Sequence, residues 1–428
     1  MEDRTWEFLI VGSGAGGATL ARELSTRGKE VLVIERGQRE QRIGTLKDSL
    51  RFFDFTKVKT PKRSQEGVIL WRTLMAGGST VASCGNGTPC LEEELADLGI
   101  TLGQEFAEAA QEMEVSPIAE GLLSEGSEKI RWAASKVDCM MELMPKFIDP
   151  VRCGKCGRCV WGCTKGAKWT ALNYLDEAQI RGAEVLYNTS VEEVLIQNGN
   201  TKGVRAVGPQ GRSEIRSDVV ILAAGGLGTP VILQQSGFKE AGSGLWVDLF
   251  VNTYGTTEGL NQLHEPTMAL VAHQYHRTKG FILSPFVNHH PMVRLMEVGP
   301  RETLRSATRL TGIMTKTADD PAGRVFPDGT VSKPVTPADQ ARLDEGVSIA
   351  RDILITAGAD PQSIVVSKPQ GAHPGGTSAI GKVVDKDLQT ALSGLFVCDG
   401  SVLPKAPAMP PIMTICALAK RLAKTLAA

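Results

Sequence analysis

Four cysteines stand close together in CGKCGRCVWGC, at Cys153, Cys156, Cys159 and Cys163. The spacing is C-x2-C-x2-C-x3-C, which suits the corners of a compact [4Fe–4S] cluster. Short glycine-rich gaps let the backbone wrap such a cluster, and Lys155, Arg158, Lys165 and Lys168 offset its negative charge. All four thiols, or three of them with a remote Cys84 or Cys90, complete the set. Zinc is a weaker fit, because its sites pair two separated knuckles. Structural thiols without metal are the third reading.

A second constellation lies at the N-terminus. Gly12, Gly14 and Gly17 form G-x-G-x-x-G between a predicted strand, Phe8 to Val11, and a predicted helix, Ala15 to Thr26. Gly28 suits the helix C-cap, and Val31 to Ile34 is the next strand. The first glycine permits a tight turn, the second a close approach to pyrophosphate, and the third close helix packing. The helix N-terminus then faces phosphate. Glu35 ends the second strand, placed for a ribose hydroxyl. Two further nucleotide-type segments, DVVILAAGGLGTP and GLFVCDGSVLP, come much later in the chain. A discontinuous domain around a long dinucleotide follows, which favours FAD over NAD.

The elements that must hold these residues fit an α/β protein. The chain has 428 residues and a formal net charge of −1. No overall field draws nucleic acid, and no apolar run reaches the length of a membrane span. The first residues run almost directly into a strand, so a cytoplasmic protein with reduced or metal-bound thiols is expected. Residues 104 to 146 read as helical, as do Lys168 to Arg181. Short strands are expected near Glu184–Leu186, Val191–Ile196 and Val204–Val207. Residues 245 to 305 carry strand-like pieces without helical period. A helix follows Thr336 as N-cap and stops before Gly358, and the last helix starts at a proline pair.

Seven segments in order are similar to the glucose–methanol–choline (GMC) flavin oxidoreductases. They are VGSGAGGATLARELSTRGKEVLVIERG, GGSTVASCGNG, GCTKGAKWTALNYLDEA, AAGGLGTPVIL, GTVSKPVTPADQARLDEGVSIARDILITAGA, HPGGTSAIGKVVDKDLQT and GLFVCDGSVLPKAPAMPPIMTICALA. They span most of the chain. Residues 245 to 320 match poorly, where that family keeps its variable substrate domain. The resemblance implies a Rossmann-like FAD domain in two parts, 1–244 (with the cysteine-rich segment 150–168) and 370–428. A reduced α+β substrate domain with an antiparallel sheet, 245–369, lies between them.

The resemblance also implies residue roles. Gly12, Gly14, Gly17 and Glu35 would bind the ADP half of FAD. Gly78, Ser79 and Asn86 would run beside the isoalloxazine, and Val191 would offer adenine a backbone contact. Asp399 and Gly400 would lie near the ribityl and phosphate portion. Ala82 stands where some relatives attach FAD through histidine, so non-covalent FAD is expected. His373 matches the active-site histidine, an acid or base toward a substrate hydroxyl. The family's second His or Asn is missing: KAPAMPPIMT places Pro410 or Pro411 there. His264, His273, His276, His289 and His290 cluster in the substrate region as possible replacements, with Tyr275 a weaker candidate.

The expected activity is hydride transfer between a small hydroxyl- or carbonyl/alkene-bearing substrate and FAD. The cluster would relay single electrons to a partner protein in an anaerobic cytoplasm. The ferredoxin-like cysteine run carries that last expectation. A lyase with redox-silent FAD, or an electron-transfer subunit without its own substrate, are the alternatives. Cys139, in a helix by this reading, Cys398 and Cys416 are expected to be buried small hydrophobes.

Overall fold

A computed structural model describes residues 4–56, 61–288, 291–299 and 309–428. The strands used below are β1 (Thr5–Val11), β2 (Val31–Ile34), β3 (Ile69–Leu70), β4 (Glu184–Leu186), β5 (Ser190–Gln197), β6 (Asn200–Gly208), β7 (Gly211–Leu222), β8 (Leu249–Thr256), β9 (Phe281–Pro285), β10 (Leu310–Thr317), β11 (Val365–Val366), β12 (Gln370–Gly371) and β13 (Leu395–Val397). The helices are α1 (Ala15–Thr26), α2 (Gly103–Glu112), α3 (Glu125–Ser135), α4 (Ala171–Ile180), α5 (Pro291–Val298), α6 (Pro337–Thr356) and α7 (Ile412–Ala427).

The first sheet has seven strands in the order β4-β2-β1-β7-β6-β5, with β13 on the C-terminal part of β7. β4, β2, β1, β7 and β13 run parallel, pairing Leu9 with Leu32 and with Val220. Their cores, FLIV and VLVI, are apolar without alternation, as strands covered on both faces require. Helix α1 packs on this sheet with α4 and α7 beside it. Strands β5, β6 and the first half of β7 turn back as an antiparallel meander.

The second sheet has six strands in the order β9-β10-β8-β12-β3, with β11 on β8. β8, β9 and β10 are antiparallel neighbours, and Phe250 of β8 stands opposite Lys316 of β10. Side chains alternate across the sheet. Ile313 of β10 packs into the cluster containing Ala350 and Ile353 of α6. Met314 and Lys316, on the other face, line the central cavity. Helix α6 starts with the expected Thr336 cap, reinforced by Asp339 in a capping box.

Three expectations change. Residues 104–146 are not one helical stretch: α2 and α3 are separated by Pro117 and Gly121, and the chain beyond α3 is extended at 142–143 and 145–146. Cys139 therefore lies in the turn after a helix, though buried as expected. Residues 291–298 form a helix within the region read as strand-like; buried Arg294 and Glu297 hide its apolar period. β3 and β12 join the second sheet, so the expected domain edge at 369/370 runs through a strand ladder. Among the described residues no helix is long and apolar enough to cross a membrane.

Candidate active site

One cavity of about 680 Å³ runs from the glycine turn after β1 to the face of the second sheet. At the turn, Gly12 has φ +102°, and a Cβ there would fall 2.3 Å from the Ala223 carbonyl oxygen. Gly14, the N-cap of α1, has open space where a Cβ would be, and no side chain caps the helix. Free first-turn N–H groups therefore face a cavity wide enough for an anion. Glu35 closes the turn, accepting from the Ser13 N–H and hydroxyl and from the Gly37 N–H. Gly78 (φ +53°) brings the next loop within van der Waals range of Gly14.

Asp399 ties the two later glycine segments together. Its Oδ2 accepts from Gly225 N (2.8 Å) and Thr229 Oγ1 (2.5 Å), and its Oδ1 from Ser401 N (2.8 Å). Burial raises its pKa, opposed by these donors. Gly12, Gly14, Glu35, Gly78, Ser79, Asn86, Val191, Asp399 and Gly400 all line the cavity. Gly17 does not: its Cβ position lies 1.9 Å from the Gly12 carbonyl oxygen, so this glycine packs helix against turn. An extended cavity with an uncapped helix N-terminus at the turn and acids that order its glycine segments fits FAD. The residues that would hold it are Gly12, Gly14, Glu35, Gly78, Ser79, Val191, Asp399 and Gly400.

Two buried lysines fix the loop at 78–86. Lys168 donates to the carbonyls of Val81, Ser83 and Cys159. Lys146 donates to those of Cys84 and Thr267 and to Asn86 Oδ1 (2.5 Å). Burial lowers both lysines, Lys146 to about 8. The Asn86 amide is thus committed to Lys146 and to Met268 Sδ (3.5 Å). Ala82 lines the cavity at the place expected.

At the far end His373 follows β12. Its backbone N–H bonds Val247 O, and Trp246 and Gly375 exchange backbone bonds, so the HPGG turn is clamped to the segment entering β8. This clamp puts Asp248 under the imidazole: Oδ2 is 2.9 Å from His373 Nδ1. Asp248 is fully buried and holds φ +52°, a left-handed conformation that aspartate tolerates better than most residues. Its Oδ1 accepts from Ala408 N (2.8 Å), in the loop before α7. Lys316 Nζ lies 3.0 Å from Nδ1 and 3.4 Å from Asp248 Oδ2. Burial, then Lys316, lower the His373 pKa, and Asp248 opposes them.

Asp248 and Lys316 were not singled out from sequence. The available signal was a lysine in LTGIMTKT, a strand buried on both faces. Among the described residues, the expected histidines do not reach the site. His276 bonds the Pro407 carbonyl (2.7 Å), behind the last loop. His264 is exposed, and neither His273 nor Tyr275 lines the cavity. His289 and His290 lie outside the described residues. Pro410 and Pro411 do line it.

The cysteine run touches the site only by its edge. Val160 and Trp161, in the turn Cys159–Trp161, line the cavity. The four thiols occupy different settings. Cys153 packs against a hydrophobic cluster, Cys156 is exposed, and Cys163 Sγ accepts from Ala167 N (3.3 Å). Lys155, Gly157 and Gly162 take left-handed φ values that bend the run. Burial chiefly raises Cys153, and the other thiols are near enough to add to it. Yet among the described residues no three Cys, His, Asp or Glu side chains form a group that could hold a metal. As folded, the run therefore does not form the group that the expected [4Fe–4S] cluster needs, although the four thiols lie near one another.

Comparison with known proteins gives the relationship. Residues 99–250 and 311–419 match the N- and C-terminal GMC oxidoreductase models, and 10–44 match an NAD(P)-binding Rossmann-like domain. An uncharacterised protein of Methanocaldococcus jannaschii is 31% identical over 420 residues, 97% of this chain and 98% of that one. A long-chain-alcohol oxidase of Arabidopsis thaliana is 23% identical over 501 residues, 96% of this chain and 65% of that one. Among solved structures, pyridoxine 4-oxidase from Mesorbium loti superposes with a TM-score of 0.74 at 16% identity, covering 98% of this chain and 99% of that one. An Aspergillus oryzae formate oxidase variant gives 0.77 at 15% identity, covering 100% and 98%. The chain belongs to the GMC oxidoreductase family of FAD-dependent enzymes.

Proposed function

We propose that this protein oxidises the carbinol carbon of a small, largely apolar alcohol. The observation that carries the reading is the His373–Asp248 pair at the cavity end. A carboxylate accepting from Nδ1–H leaves the Nε2 lone pair uncommitted, ready to take a hydroxyl proton. Bound FAD supplies the acceptor for the hydride that leaves the same carbon. The step balances: the C–H bond gives a hydride, the O–H bond gives its proton to Nε2, and the carbonyl forms. The reverse reduction needs Nε2 to carry the proton, which burial and the neighbouring Lys316 disfavour.

The walls support the substrate class. Trp246, Phe250, Met268, Phe286 and Met314 are apolar and line the end of a cavity that must also hold FAD. Asn288 and Gln370 add polarity, their amide NH2 groups held by buried Glu297. Oxidation of alcohols is also named for the Arabidopsis relative. An iron–sulfur relay to a one-electron partner is left out of this reading, since the thiols are not gathered to hold one.

The test is rapid-mixing reduction of the bound flavin by a panel of primary and secondary alcohols without oxygen. At least one should bleach it, and His373→Ala should keep FAD but slow bleaching on the order of 10²–10⁴-fold. Unchanged bleaching in that variant would remove His373 from the chemistry.

A further inference from the structure

The loop before α7 offers only Pro410 and Pro411 to the cavity, so a single imidazole faces the substrate from this side. An imidazole beside a buried carboxylate tends to charge, because an opposite charge favours the protonated form. A charged His373 has no lone pair and accepts no proton. The cavity contains the group that prevents this. Lys316 is 2% exposed, on the cavity face of β10, with Nζ 3.4 Å from the same Asp248 oxygen that meets His373.

We infer that Lys316 is a positioning residue that balances the charge of Asp248 and so keeps His373 a neutral base with Nε2 free; this rests on the alcohol-oxidising reading above. Asp248 meets three groups: His373 Nδ1 at 2.9 Å, the Lys316 ammonium at 3.4 Å and the donating Ala408 N–H at 2.8 Å. Ammonium and carboxylate cancel, and the resting site carries no net charge on the ring. In this arrangement Asp248 accepts from Nδ1–H, in competition with the Lys316 ammonium, which would otherwise donate to the same nitrogen. The ammonium, 3.0 Å from Nδ1, repels a second proton on the ring. The substrate proton is then accepted only when the hydroxyl delivers it to Nε2. Asp248 orients the ring, Lys316 holds it uncharged, and the second histidine or asparagine becomes dispensable.

Burial lowers the pKa of Lys316, and the Asp248 carboxylate opposes that shift. Cys84 and Cys90 face Lys316 from the loop side. Burial pushes both thiols up, Cys90 to about 12. Behind Asp248 lies Asp319, which burial raises to about 6 although buried Lys333 is 3.1 Å away, so its protonation changes near that pH.

The test compares the holoenzyme with Lys316→Met and Lys316→Arg, following flavin reduction by an alcohol from pH 5 to 9. Lys316→Met should move the acidic limb of the rate upward by about one unit or more. Its rate should fall at pH 6 yet return to within a few-fold of wild type at pH 9, with KM little changed. Lys316→Arg should keep the wild-type limb. A packing defect would not recover with pH. A Lys316→Met profile that superimposes on wild type overturns the inference while leaving the His373→Ala result, and so the reading of the site, untouched. Should Lys316→Met lose its flavin, nitrogen NMR of wild-type holoenzyme labelled at histidine decides. A neutral His373 protonated on Nδ1 at pH 6 supports the inference, and an imidazolium or a ring protonated on Nε2 overturns it.

Discussion

A single carboxylate decides what the reactive residue can do. Asp248 reaches His373 because its own backbone is left-handed, a conformation that concentrates where structure is constrained for function. Its replacement separates orientation from charge. Asp248→Asn can donate an amide proton to Nδ1, which moves the ring proton to Nε2 and removes the base. It also leaves Lys316 buried without a counter-ion, a costly state. The plateau of the flavin-reduction rate should fall on the order of 10²-fold or more, and raising the pH should not restore it. Recovery at high pH would mean that Asp248 acts through charge alone. His373 itself, with its folded pKa below 6.5, should give a wild-type rate that declines only below that pH.

At the scale of elements, the start of α3 is built around a buried acid. Glu265 accepts from Ser124 N, Ser124 Oγ and Ser127 Oγ. Burial still wins over these donors, and its carboxyl is raised from 4.5 to about 7. Below pH 4.5 the group is neutral in folded and unfolded chains alike. Between 4.5 and 7 the unfolded chain ionises first, so stability is lost as pH rises through this window. A shift of that size corresponds to about 3 kcal/mol. Glu265→Gln should remove that loss: the difference in unfolding free energy between variant and wild type should grow in the variant's favour from pH 4.5 to 7. Parallel denaturation curves for the two proteins at every pH would show that Glu265 is ionised in the folded state.

For the whole molecule, the cavity exists because two sheets meet across it. The glycine turn and Asp399 come from the parallel sheet, and Lys316 and Phe250 come from the antiparallel one. His373 stands at the junction, two residues after β12. FAD held this way is clasped by turns from both ends of the chain and needs no covalent bond. Ala82 offers none at the expected place. Acid precipitation should leave a colourless pellet and yellow, FAD-containing supernatant; a yellow pellet would point to Cys84, which also lines the cavity. The same anaerobically prepared protein should carry iron well below four per chain, and Cys156→Ser should leave its spectrum unchanged. Four irons with four sulfides would show that the run of 153–163 rearranges around a cluster.

The sequence by itself determined the parts whose physics is local. A glycine triad between strand and helix needs only adjacent residues to state its purpose, and α1 and β2 form where their spacing says. Thr336 announces the start of α6 in the same way, since a cap acts within one turn. The family, FAD and His373 as a cavity residue were also legible, because each rests on a short contiguous motif. What only the tertiary structure decided are the pairings between distant strands. Lys316 and Asp248 are 68 positions apart and meet because β8 and β10 pair antiparallel, with Asp248 one residue before β8. No local periodicity distinguishes that lysine from one facing solvent. The cysteines show the converse. Spacing alone favoured a metal cage, but with positive φ at Lys155, Gly157 and Gly162 the folded run brings no three of its thiols into a metal-holding group. Ligand spacing limits how near thiols come along the chain, and the fold around them sets where they point.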